Sequence, residues 1–251
     1  MAIAPFLAMT AAEIRGNTSL PPKIAWMACH FSPYGSGLSN LPRSLPPGSL
    51  LMVDDITPIR GHDPRIILDQ LGESAEAFSC DGILLDFQRP GIEETAALVE
   101  VLTQGLPCPV AVPESYAGTG SFPIFLPPVP PSASPEDYFA PWSGREIWLE
   151  LAMDAVEVTV TEHGSTFLPL TAAAPAEPEF FDETLLCRYH CDVQEAAVRF
   201  TLRRAAEDLD RFLAEAEEHS VTKAVGLYQE FHRHGSAQSL PCTKGGGMAK
   251  P

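Results

Sequence analysis

Apolar residues in this chain gather in short, nearly continuous runs, separated by polar or proline-rich stretches. Between Lys23 and Glu230 eight such runs have the length of a buried strand. They are Ile24–His30, Leu50–Asp55, Ile83–Phe87, Val110–Glu114, Ile124–Leu126, Ile147–Leu151, Leu185–Asp192 and Ala224–Glu230. Continuous apolar character is expected of strands covered on both faces, as in parallel sheets; Leu185–Asp192 fits least well. Helical spacing links some of the runs. Asp63 can cap a helix that starts at Pro64 and places Ile66, Ile67 and Leu71 together. Residues Gly91–Gln104 form a second helical segment. The third and longest, Gln194–His219, offers Val198, Phe200, Leu202, Leu209, Phe212 and Leu213 for packing.

Strands alternating with helices argue for a parallel sheet with right-handed crossovers. The expected architecture is α/β: a reduced or decorated (β/α)8 barrel of the TIM type, with an open doubly wound sheet as the alternative. No glycine-rich phosphate loop follows any strand, which weakens a nucleotide-binding version of that alternative. The middle of the chain leaves little room for covering helices. A β-hairpin is expected there, from Ile147–Leu151 through a turn near Asp154 to the alternating Val156–Thr161. The resulting division is an N-terminal arm over 1–22, a single barrel domain over 23–232, and a disordered tail over 233–251. The tail is too poor in apolar residues to pack.

Composition narrows the function classes. The 251 residues suit one α/β barrel. The formal net charge is −17, with no basic stripe, so the protein's field repels nucleic acid and anionic lipid. No apolar run approaches the roughly 18 residues that span a membrane, and the apolar start lacks a basic segment before it. A cytoplasmic location is expected. The 25 prolines cluster in 41–47, 127–135 and 173–178, marking loops. Six cysteines are too few for a disulfide scaffold. Cys187 and Cys191 would share a strand face with His190 on the other, so no metal site is expected, and no cofactor.

One segment carries a family resemblance: Asp81-Gly82-Ile83-Leu84-Leu85-Asp86-Phe87-Gln88-Arg89-Pro90. It resembles the fourth-strand signature Asp-Gly-x-Asp-x-Asp-x-Glu of the family 18 glycoside hydrolases, the chitinase-like barrels. Ala224–Glu230 resembles that family's last strand, whose large aromatic residue would here be Tyr228. The resemblance implies a TIM barrel with a sugar site at the C-terminal ends of its strands. In the family the final Glu of the motif protonates the leaving oxygen, and the Asp two residues before it orients the acetamido group. Asp86 is retained, but Gln88 stands at the acid position and Leu84 at the middle aspartate. A carboxamide has no transferable proton near neutral pH, and loss of general acid catalysis removes about 10²–10⁴ in rate. Ordinary chitinase activity is therefore not expected.

Three functions remain open. The first is a carbohydrate- or small-polar-ligand-binding barrel without hydrolysis, its rim formed by Asp54, Asp55, Asp86, Gln88, Glu114 and Tyr228. An amide keeps hydrogen-bonding capacity where it loses acidity. The second is a hydrolase with a relocated carboxylate pair, Asp86 and Glu114. Neighbouring strands lie about 4.8 Å apart and retaining glycosidases need carboxylates about 5–5.5 Å apart. The third is a scaffold without a working pocket, whose strand-end acids only cap helices or loop amides. His30 beside a glycine-containing loop, the Arg60–Asp63 turn, and Trp26, Trp142 and Trp148 have structural readings as well as functional ones.

Overall fold

The computed structural model of the chain describes residues 3–153, 155–170 and 176–233. Eight parallel strands form its centre: β1 Ala4–Met9, β2 Ile24–Phe31, β4 Leu50–Asp54, β5 Gly82–Asp86, β6 Val110–Pro113, β7 Ile124–Leu126, β8 Ile147–Leu151 and β14 Val221–Leu227. β1 pairs with β14 on one side and with β2 on the other, so the sheet closes on itself. This is a closed barrel, not the open sheet. A two-residue strand, β3 Leu38–Ser39, adds antiparallel to β2.

Alternation along each strand sends one set of side chains inward. Phe6, Ala8, Ala25, Leu50, Met52, Leu84, Ala111, Phe125, Trp148 and Val225 fill the interior as one apolar cluster. Trp148 closes the N-terminal end. It is fully buried, its Nε1 donates to Glu146 Oε1 at 3.0 Å, and the Lys223 ammonium sits 4.0 Å from its ring centroid. The interior is thus closed at the N-terminal ends of the strands, and the strand ends at the other side carry the polar residues. The outer wall is covered unevenly: α2 Pro64–Ala77 and α3 Glu93–Gly105 are long, whereas α1 Ala11–Gly16, α4 Glu114–Ala117 and α5 Pro135–Phe139 are about one turn each. Asp63 caps α2, its carboxylate accepting from Arg65 N, with Pro64 in the first turn as its stereochemistry favours.

Between β8 and the last barrel helix, α6 Leu209–Glu218, the chain builds a second sheet. It contains β9 Ala155–Thr161, β10 Gly164–Leu170, β11 Phe180–Asp182, β12 Cys187–Gln194 and β13 Ala197–Arg203, antiparallel in the order β10-β9-β13-β12-β11. Arg188 anchors it to the 3₁₀ turn before α6 by a two-nitrogen pair with Asp208, at 2.6 and 3.0 Å. The chain ends its described part in α7 Tyr228–Arg233.

Several expectations are corrected here. Residues 1–22 are not an arm, since they contain β1, all of whose residues from Phe6 to Met9 are buried. Leu185–Asp192 is not a barrel strand; its place in the barrel is taken by β1. The inserted hairpin lies further along the chain than expected: β8 belongs to the barrel, and β9 pairs with β10 and with β13. The segment Gln194–His219 is helical only from Leu209; Val198, Phe200 and Leu202 alternate along β13 on the face shared with Val156, Val158 and Val160. The turn at Asp154 and the tail from 234 onward lie outside the described residues.

Candidate functional site

The site is built where β4 and β5 run out at their C-terminal ends. Leu50, Met52 and Asp54 share the inward face of β4, and Leu84 and Asp86 that of β5. Asp54 and Asp86 are register partners, so two carboxylates stand side by side above the apolar interior. Burial raises both above the ordinary carboxylate range. For Asp54 burial is the largest cause, opposed by the Ile56 N–H, which donates to Oδ1 at 3.1 Å, and by His30. For Asp86 burial again leads, opposed by the Gln88 amide and reinforced by the charges of Asp54 and Asp55. Gln88 Nε2 donates directly to Asp86 Oδ1, fixing the amide to the carboxylate two residues before it.

Asp55 plays a different part. It faces away from the mouth, is 4% exposed, and accepts from the backbone N–H groups of Gln88 at 3.0 Å and Arg89 at 3.1 Å. It is a clamp that holds the loop after β5, and with it Gln88, in place. His30 lies level with Asp54 across β2 and β4, with its Nε2 at 3.3 Å from Asn40 Nδ2.

The other predicted residues divide. Leu84 pairs with Ala111, so β6 reaches the level of Asp86 at Pro113, and Glu114 follows as the exposed first residue of α4. The carboxylates acting on Asp86 are Asp54 and Asp55, and the pair that the fold brings together is Asp54 with Asp86. Tyr228 leaves the rim. β14 ends at Leu227, and the Tyr228 hydroxyl donates to Asn17 Oδ1 at 2.9 Å, beyond α1. Tyr138 of α5, which no sequence signal indicated, lies near Glu114 and Glu150. Its hydroxyl donates to Pro127 O at 2.7 Å. Burial, and then the charges of Glu114 and Glu150, push its phenol upward.

Cys187 is buried and its thiol, raised to about 12 by burial, contacts Pro131 O at 3.3 Å. Among the described residues no group of three or more metal-binding side chains forms. No helix of those residues is long and apolar enough to cross a membrane.

Comparison with protein-family models finds no match, and neither does comparison with curated protein sequences. Solved structures do match. The glycoside hydrolase family 18 N-acetylglucosaminidase of Paenibacillus barengoltzii superposes with a TM-score of 0.60 at 9% identity, over 96% of this chain and 99% of that one. The chitinase-like agglutinin of Robinia pseudoacacia gives 0.54 at 11% identity, over 88% and 93%. A family 18 chitinase mutant of Cycas revoluta, one of whose two substitutions is Glu to Gln, in complex with (GlcNAc)4, gives 0.51 at 12% identity, over 88% and 94%. With its eight closed parallel strands, and with the Asp81–Pro90 motif on the fourth of them, the chain has the (β/α)8 barrel fold of the family 18 chitinase-like proteins.

Proposed function

We propose that this protein binds a carbohydrate at the C-terminal end of its barrel and does not hydrolyse it. The observation that carries this reading is the pairing of Gln88 with Asp86. The amide occupies the position of the family's acid and is held by a hydrogen bond, so it can orient a ligand but cannot deliver a proton. Leu84, at the position of the motif's middle aspartate, is fully buried among apolar neighbours, which removes a second polar element of the hydrolytic motif. The likeness to a chitinase-like agglutinin, and to a Glu-to-Gln chitinase mutant in complex with (GlcNAc)4, agrees with binding. The rim of this site is Asp54, Asp86 and Gln88, braced by Asp55, with Glu114 just past the end of the neighbouring strand β6. A cytoplasmic setting would restrict the ligand to soluble sugars or small polar metabolites.

Calorimetric titration with N-acetylglucosamine oligomers, run beside a turnover assay on the same oligomers, tests the reading. Binding without turnover is expected, weakened about tenfold or more in Asp86→Ala, as loss of a charged hydrogen-bond partner implies. Turnover that disappears in Asp86→Ala but survives Gln88→Ala would instead establish a hydrolase using a carboxylate pair. Failure of these oligomers and of a neutral-sugar panel to bind would end the carbohydrate reading.

A further inference from the structure

The outer wall of the barrel is incomplete between its first two strands. α1 has 6 residues and none of them is buried, whereas α2 and α3, with 14 and 13, lay apolar faces on the wall. Beyond β3 the segment 40–44 covers only part of the gap. What remains is a groove of about 870 Å³, within the roughly 300–1,000 Å³ of small-molecule sites. Ile14, Trp26 and Leu41 give it an apolar base on the outer wall, and Met27, which packs against the barrel interior, borders it. The Trp26 indole N–H is already committed to Asn40 O at 2.9 Å, so the residue offers the groove its ring.

Two guanidinium groups border this base, Arg15 from the last turn of α1 and Arg43 from the segment after β3. Both are exposed, and neither forms a hydrogen bond or ion pair among the described residues. Four other arginines do find acids: Arg188 pairs with Asp208, Arg203 with Glu179, Arg199 with Glu157 and Arg211 with Glu183. Glu13 of α1 is engaged in a capping box, its carboxylate accepting from the Thr10 backbone N–H and hydroxyl at 2.7 and 2.9 Å. No acidic side chain lines the cavity.

We infer that this lateral groove is a second ligand site, distinct from the barrel mouth. It takes a small organic anion whose carboxylate or phosphate lies between Arg15 and Arg43 and whose ring or apolar body rests on Trp26 and Leu41. Guanidinium forks suit both oxyanions, and a positive site in a net negative molecule selects against neutral competitors.

The test uses the whole protein with benzoate, glucuronate and glucose 6-phosphate as anionic probes and glucose as the uncharged control. Binding is followed by calorimetry and by tryptophan fluorescence. At least one anion is expected to bind with a dissociation constant of about 1 mM or tighter. The Arg15→Gln/Arg43→Gln double variant should weaken it at least about tenfold at unchanged melting temperature, and added salt should weaken it too. Trp26→Phe should abolish most of the fluorescence change, and Asp86→Ala should leave the affinity as it is. Carboxylate and phosphate sources are told apart by which probe binds. The inference is overturned if no anion binds, if glucose binds equally well, if the double variant keeps full affinity, or if Asp86→Ala removes the binding.

Discussion

Asp54 and Asp86 are held where charge is costly, above a dry interior and beside each other. Their folded-state affinity for protons exceeds that of the unfolded chain, so the folded state binds more protons between the ordinary carboxylate value of 3.8 and the raised one. Stability contributed by these groups is complete below that window and is lost as pH rises through it. Asp86→Asn and Asp54→Asn should therefore melt higher than the wild type near neutral pH, by about 2–4 °C per kcal/mol of relieved strain, and equally at pH 3. Melting curves at the two pH values check this; a lower melting temperature at neutral pH in both variants would identify the carboxylates as structural caps. Asp55 predicts the reverse. Removing a buried acceptor of two backbone N–H groups in Asp55→Ala should cost about 1.5–3 kcal/mol by denaturant unfolding, with weaker ligand binding because Gln88 loses its brace.

At the scale of elements, β5 shows why the strand begins with the motif's glycine. Gly82 has φ +154°, and a Cβ there would stand 2.4 Å from Trp148 Cη2 and 2.9 Å from Pro109 O. Gly82→Ala should cost about 1–3 kcal/mol or more, because neither the floor tryptophan nor the neighbouring backbone can yield. Chemical denaturation would show it, and a neutral result would mean the floor is looser than its packing implies. The buried strands were legible because each is a short apolar run, and the mouth carboxylates because residues two apart on a strand share a face. Other elements were not. Val198 and Leu202 are four residues apart as well as alternating, so β13 satisfies a helical pattern and merges with the true helix at Leu209–Glu218. Tyr228 was misplaced because the last strand stops one residue earlier: Val225 and Leu227 share one face, and the next residue begins a helix. Glu114 likewise falls just past a strand end, at Pro113, and opens α4. Counted from Ile24, the motif falls on the third run; only with Ala4–Met9 as a strand does it fall on the fourth, where the resemblance requires it.

For the whole molecule, closure is the property on which everything else depends. Without β1, β14 and β2 would become open edges with unpaired amides and apolar faces, the condition that drives association of sheets. Removing residues up to Met9 should therefore give a chain that aggregates, measured by light scattering, and not one that merely loses an appendage. A monomeric, cooperatively melting truncation would refute this. The five-stranded sheet stands apart from the barrel's hydrogen-bond network and is tied to it through Arg188–Asp208, Cys187–Pro131 and Arg204–Val129.

That closure also sets an order in time. β1 is made first, yet its register partner for Ala4 is Lys223, and the intervening length is nearly the whole described chain. A loop of that size is entropically slow to shut, and contacts so distant in sequence retard folding. During synthesis the first strand, with β2 alone as a possible neighbour, must wait for Val221–Leu227 to leave the ribosome. Until then β4 and β5, which carry the paired carboxylates, sit in an unsealed sheet. The vulnerable interval is thus the time before β14 arrives, when a chaperone would have most to protect.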